Sequence, residues 1–286
     1  FQNRHPERMI DVGIAEEHAV TMAAGLAAGG LKPFCNIYSS FSQRAYDQII
    51  HDVALQNLPV VLCLDRGGIV GEDGATHHGC YDMAIYRTIP GAIIAAPANE
   101  TELKNMMYSA MLSENGPYII RYPRGYGEGT DWHSSPYEEY EPGKGTLLMD
   151  GEGLAVVAAG PVVNRGIEAA EILKDRTGIC PAIYNIRYIK PLDIEMLDQI
   201  CGKFDEMVTI EDGCIVGGLY GSVAEYVSRH HKEVSVTPIA IPDRYLSQGT
   251  QAELRDECGL TTPRIVELLE EKMKKISKKD QKVLEI

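Results

Sequence analysis

The sequence predicts an α/β protein of two units, each a mainly parallel sheet with helices on both faces. Three observations carry that reading. Short β-rich runs alternate with longer helical patterns along the whole chain. The run Pro59-Val-Val-Leu-Cys-Leu64 is almost continuously apolar, as a strand covered on both faces must be. The chain has 286 residues, more than one compact core usually fills.

In the first unit, strands are expected at 9–12, 32–37, 60–65, 92–96 and 118–122, and helices at 15–29, 43–55 and 100–113, the last opened by Asn99 as N-cap. Residues 125–145 are rich in Gly, Pro and Ser and hold no sustained period, so the boundary falls there. This gives a domain at 1–125, a linker at 126–145 and a second, smaller domain at 146–286. The second domain is expected to carry strands at 154–158, 182–185, 207–210 and 234–241 and helices at 163–176 and 194–201. A Gly-rich helix start at 217–221 and a last helix from Thr262 complete it, its lysine-rich run 272–279 reading as a solvated, fraying end.

Composition narrows the function classes. Apolar residues make up 44% and charged residues 24%, ordinary globular values, and no apolar run approaches the ~20 residues that cross a bilayer, so no membrane association is expected. A net charge of -14, from 41 acids against 27 bases, repels phosphate backbones and argues against nucleic acid, while leaving room for a local basic pocket that holds one phosphate. The seven cysteines are odd in number, scattered and never in a CxxC pair, which points to reduced thiols in the cytoplasm. The chain opens on Phe1 with no signal-like segment, and its true start is expected upstream.

Four segments bear the residue types of chemistry. Glu16 and Glu17 open an Ala-rich helix, where the helix dipole alone favours carboxylates. Ala19, Ala23, Ala24, Gly25, Ala27 and Ala28 also leave one face flat, so that another helix can approach and Glu16, drawn out of water, can share a proton with a ligand nitrogen. The segment 64–79 packs five glycines, three acids, Arg66, His77 and His78 directly after a strand, the end at which ligands bind in a parallel sheet. Its glycines let backbone N–H groups approach an anion and Arg66 offers a two-pronged clamp. His77 suits acid/base work; zinc at His77 and His78 lacks further ligands at the right spacing. Arg124, in Arg121-Tyr-Pro-Arg124, brings a second guanidinium to the same edge, and Tyr38 and Arg44 flank Phe41 in Tyr38-Ser-Ser-Phe-Ser-Gln-Arg44. Gly217-Gly-Leu-Tyr-Gly221 lacks dinucleotide spacing.

Several longer motifs resemble the 1-deoxy-D-xylulose-5-phosphate synthases, a family of the transketolase superfamily. They are Asp11-Val-Gly-Ile-Ala-Glu-Glu-His-Ala-Val20, Ile37-Tyr-Ser-Ser-Phe-Ser-Gln-Arg-Ala-Tyr-Asp-Gln48, Gly71-Glu-Asp-Gly-Ala-Thr-His77, Arg121-Tyr-Pro-Arg-Gly125, Lys190-Pro-Leu-Asp193 and Pro242-Asp-Arg-Tyr-Leu-Ser-Gln-Gly249. The resemblance runs nearly end to end. It implies a thiamine-diphosphate pyrimidine-binding domain followed by a transketolase C-terminal-like domain, both α/β/α. It implies condensation of pyruvate with glyceraldehyde 3-phosphate to 1-deoxy-D-xylulose 5-phosphate and CO2, a step towards isoprenoid, thiamine and pyridoxal precursors, in a homodimer. Carried onto this chain, Glu16 contacts the aminopyrimidine nitrogen, Phe41 stacks on that ring, and His77 moves protons with Asp73 beside it. Tyr38, Arg66 and Arg124 hold the acceptor's phosphate, with Arg44 supporting that pocket. One departure is large: family members bind magnesium and the diphosphate through an upstream Gly-Asp-Gly element, and this sequence has none. The chain is therefore expected to hold half of a cofactor site, as a fragment or beside a separate polypeptide that supplies the missing domain and its Mg2+, and to contribute no metal ligands itself. Glu17 and His78 are smaller departures, at positions where the family has Gln. The weighed alternatives are the beta subunit of a 2-oxoacid dehydrogenase and a non-catalytic module that keeps the fold.

Overall fold

The structure, a computed structural model, describes residues 1–284 and side chains as far as Ile276. The first unit begins with α1 (Glu16–Ala28) and β1 (Phe34–Tyr38), followed by a segmented helical run: α2 (Ser39–Ser42), a 3-10 turn (Gln43–Ala45), α3 (Tyr46–Gln48) and a π-helical stretch (Ile49–Ala54). It continues through β2 (Val61–Asp65), α4 (Asp82–Arg87), β3 (Ile93–Ala95), α5 (Glu100–Leu112) and β4 (Tyr118–Arg121). Asn99 caps α5 by accepting from the Glu102 N–H, as its residue type predicts. The second unit comprises β5 (Thr146–Met149), β6 (Ala155–Ala158), α6 (Val162–Thr177), β7 (Ala182–Asn185), β8 (Tyr188–Lys190), α7 (Ile194–Lys203), β9 (Glu206–Cys214), α8 (Leu219–His230), β10 (Ser235–Ile241), α9 (Gln251–Glu257) and α10 (Thr262–Leu284).

Two five-stranded sheets result, in the orders β1-β2-β4-β3-β8 and β10-β9-β6-β7-β5. All pairings are parallel except those of the edge strands β8 and β5. β8 belongs to the second half of the chain yet pairs with β3, Ile94 opposite Lys190 and Ala95 opposite Tyr188. Strand alternation then divides the core into layers. Leu62 and Leu64 of β2 face a core that also takes in α1, the run 45–53, β6, α7 and α8, so one apolar body joins the two units. Val61 and Cys63 point to the opposite face, against Met106 and Ala110 of α5. The far face of the second sheet, Val156, Ala158 and Ile210, packs on α6 and α10.

Several local expectations are corrected. Residues 9–12 form no strand: Met9 and Ile10 are exposed, and the edge strand β1 pairs only with β2. The helix expected at 43–55 begins at Ser39 and changes period along its length. The flat face of α1 is largely consumed inside the chain, where Ala23, Ala24 and Ala27 are buried in the same core as Ala45, Ile49 and Val53; Gly25 and Ala28 remain exposed. Residues 126–136 contain no helix or strand and are tied to α5 by Lys104, whose ammonium donates to the carbonyls of Trp132, Ser135 and Pro136 at 2.7–3.1 Å. The run 272–279 lies within α10, and its side chains from 277 onward fall outside the described residues.

Candidate active site

The carboxyl ends of three neighbouring strands deliver the predicted residues to one edge. Tyr38 is the last residue of β1, Arg66 follows β2, and Arg124 lies three residues past β4. α2 starts immediately after Tyr38, which sets Phe41 and Tyr38 in a stack with centroids 5.6 Å apart. The edge of His77 meets Phe41 at 5.1 Å, and the Arg66 guanidinium lies over Tyr38 at 3.8 Å. On the other side Arg44, 5.4 Å from the Phe41 centroid, reaches Glu16 at 3.4 Å. Glu16, Arg44, Phe41, His77, Tyr38 and Arg66 thus form one connected group. Glu16 is largely buried, with 11% of its side chain exposed, and Arg44 contacts it only through long bonds of 3.4 and 3.5 Å. Carboxylate lone pairs therefore remain for a ligand N–H.

Asp73 and Arg124 form a second group. They pair at 2.7 Å, each about two-fifths exposed, and Arg124 also donates to the Val70 carbonyl at 3.4 Å. Asp73 is therefore held by Arg124, while His77 takes its own partner, the Thr76 hydroxyl, at 2.8 Å. Arg66 pairs with Asp65 at 2.7 Å but keeps a buried Nε–H with no partner. Its backbone has φ +63°, a left-handed conformation that costs a residue bearing Cβ about 1 kcal/mol or more. The following bonds hold it there: Gly67 donates to Tyr122, and Gly68 and Gly79 exchange a pair at 2.8 Å. Gly68 itself, at φ +77°, has no room for a Cβ against the Asp212 carboxylate.

Residues that sequence reasoning missed hold this loop from below. Arg121, 2% exposed, bonds Asp82 at 2.8 Å and Asp212 of the second unit at 2.5 Å. Burial opposes its charge, but Asp212 and Asp82 outweigh that and hold its pKa above the usual guanidinium range. A charged residue closing the apolar run Tyr118-Ile-Ile was the available signal, since a buried charge needs partners. His78 is 3% exposed and accepts from the Val70 N–H at 3.2 Å, which assigns its hydrogen to Nε2, 3.2 Å from the Ser247 carbonyl. Gln251 donates to the Arg124 carbonyl at 3.1 Å. The segment 242–251 of the second unit thereby clasps the site loop of the first. Close to Arg121 and Asp212, Glu211 is fully buried and accepts from the Leu219 and Tyr220 N–H groups that open α8; burial, partly offset by those bonds, lifts its carboxyl to about 7. Burial likewise lifts the Cys80 thiol to about 12, which keeps it inert.

Two α/β units bring a carboxylate, an aromatic stack, a histidine and arginines to joined strand ends, and the chain belongs to the transketolase family: residues 1–128 match its pyrimidine-binding domain and residues 143–265 its C-terminal domain. Within that family the motifs' resemblance to 1-deoxy-D-xylulose-5-phosphate synthases holds. The chain is 52% identical over 260 residues to that synthase of Bacteroides thetaiotaomicron, covering 91% of this chain and 40% of the relative. It is 46% identical over 267 residues to the synthase of Dictyoglomus thermophilum, covering 93% and 43%. The chain thus spans about two-fifths of the length of these relatives. A solved structure titled split gene transketolase, inactive beta4 tetramer, superposes with a TM-score of 0.85 at 28% identity, over 96% of this chain and 87% of that one.

Proposed function

We propose that this chain supplies the pyrimidine-binding and C-terminal domains of a thiamine-diphosphate-dependent 1-deoxy-D-xylulose-5-phosphate synthase. That enzyme joins the two-carbon remnant of pyruvate to glyceraldehyde 3-phosphate with loss of CO2. The observation that carries this reading is the connected group from Glu16 through Phe41 to His77 and Arg66. A mostly buried carboxylate with spare lone pairs beside an aromatic face fits a heterocycle that is stacked and hydrogen-bonded at a ring nitrogen. Thiamine diphosphate, when bound, supplies the electron sink for decarboxylation and carbon–carbon bond formation. Glu16 holds a proton at the pyrimidine nitrogen and Phe41 orients the ring. His77 moves a proton at the substrate oxygen, and Asp73 sits in its loop and fixes Arg124. Tyr38, Arg66 and Arg124 bind the acceptor's phosphate, Arg66 through its unpartnered Nε–H as well as its charge. Arg44 balances Glu16 and borders that pocket.

The diphosphate and Mg2+ belong in this reading to a further part of the protein, because no Gly-Asp-Gly occurs here. The neighbour titled split gene transketolase, inactive beta4 tetramer, supports two linked ideas for this chain: that it is a polypeptide of its own, inactive alone, and that it associates with copies of itself. Seven free thiols, six of them buried, suit the cytoplasm, and no helix among the described residues is long and apolar enough to cross a membrane. The test is complementation with a diphosphate-binding domain, followed by assay of deoxyxylulose phosphate from pyruvate and glyceraldehyde 3-phosphate. Turnover is expected, and E16Q should lower it about a thousandfold. Absence of product would overturn the reaction, near-normal E16Q would overturn the role of Glu16, and dependence on a lipoyl acceptor would transfer the chain to the 2-oxoacid dehydrogenase beta subunits.

A further inference from the structure

We propose that the crevice between the two units holds a second anion site, built on Arg165 and Arg255 and suited to a phosphoryl group. One wall comes from the first unit, through Gly67 and Pro123; the other comes from the second, through Pro161, Val162, Arg165 and Arg255. Neither Arg66 nor Arg124 lines it, so it is separate from the clamp assigned to the acceptor's phosphate, and the inference does not rest on that assignment.

Charge in this crevice is uncompensated by the protein. Both arginines are partly buried, and among the described residues neither forms an ion pair within 4.0 Å or donates a side-chain hydrogen bond to any protein acceptor. A guanidinium carries five donors, and none of those on Arg165 or Arg255 is buried without a partner, so solvent reaches them and a multidentate anion can take its place. Burial first, and then the neighbouring charge of Arg165, pull the Arg255 pKa below its ordinary range. Arg165 also stands in the first turn of α6, the positive end of a 16-residue helix, where a cation is disfavoured and no acidic residue offsets it. Two guanidiniums and a helix N-terminus therefore converge with the same sign. The carboxylates nearby do not cancel them: Asp212 borders the crevice but is engaged by Arg121 at 2.5 Å, and Glu128 is exposed and makes no ion pair with Arg255. An anion with several acceptor oxygens offsets the charge of both guanidiniums and of the helix N-terminus at once, and the forks of two arginines match the geometry of phosphate.

The test uses inorganic phosphate and the full 286-residue chain. In an R66Q/R124Q background, which removes the other clamp, calorimetry should still show saturable phosphate binding and a rise in melting temperature that chloride at equal ionic strength does not reproduce. Adding R165Q or R255Q should each weaken that binding about tenfold or more, while R255K, which keeps the charge without the fork, should weaken it less. If R255Q does not fold, R165Q carries the comparison alone. Glycerol 3-phosphate binding more tightly than inorganic phosphate would identify an ester as the occupant; equal affinity would identify free phosphate. The proposal is overturned if R66Q/R124Q abolishes all phosphate binding, or if R165Q leaves it unchanged. It is also overturned if complementation with the diphosphate-binding domain blocks it, since a protein carboxylate would then fill the crevice. Failure of the synthase assay leaves these outcomes untouched, because the background already lacks the acceptor clamp.

Discussion

Arg121 and Arg124 leave the same strand end three residues apart and meet opposite environments. Arg121 is sealed between Asp82 and Asp212, tying the two units together, whereas Arg124 shares one carboxylate, Asp73, with solvent on both sides. Identical side chains thus divide the work: the buried one fixes the loop's foundation, and the open one stays accessible to solvent. Charge in this protein is structural where it is enclosed on every side and available where it is held by a single exposed partner.

The largest effect should come from breaking the enclosed member. R121M leaves two buried carboxylates facing each other and is expected to lower stability by about 3–5 kcal/mol, read from urea unfolding; adding D82N and D212N should recover part of that loss. A chain unaffected by R121M would erase the distinction. R124Q should do the reverse, leaving the melting temperature nearly unchanged while raising the KM for glyceraldehyde 3-phosphate in the complemented enzyme by about tenfold to a hundredfold, with a smaller change in kcat.

A pH titration sharpens the enclosed side. Glu211 has a folded-state pKa near 7 against an ordinary value of 4.5, so the folded chain binds the proton more tightly. Its contribution to stability is complete below pH of about 4.5, falls as pH rises to about 7, and is absent above, a total of about 3 kcal/mol. E211Q should flatten that slope; an identical slope in the variant would place the proton elsewhere. The smallest effect belongs to Thr250, whose hydroxyl and the Glu253 carboxylate form a capping box at the start of α9, beside the clasp on the site loop. T250A is expected to cost about 1 kcal/mol in thermal unfolding and to leave the R124Q phenotype additive.

The parallel strands, and the gathering of the candidate residues at one sheet edge, were legible because each rests on local patterns. Val60 to Leu64 announces a covered strand, and the glycines and histidines after it announce a ligand loop. What stayed hidden depends on partners distant in sequence. β8 is three residues long and finds β3 more than ninety residues away, so no period could reveal it. The shared position of His78 and Ser247 was equally invisible, since their bond spans 169 residues. Asp212 carried no signal of its own, because its partner Arg121 sits 91 residues earlier in another sheet. The strand expected at 9–12 had the right residue types and lacked a neighbour to pair with, which sequence alone does not disclose.

The donation of β8 to the first sheet bears on how this polypeptide can be divided. Severing it near residue 130 would strip β3 of its outer neighbour and split the apolar layer that α1 and α8 share, leaving both pieces with bare, adhesive surfaces. The two units are in that respect a single object for heredity as well as for folding. Gene fission or domain grafting in such a chain would have to spare this junction and act outside it.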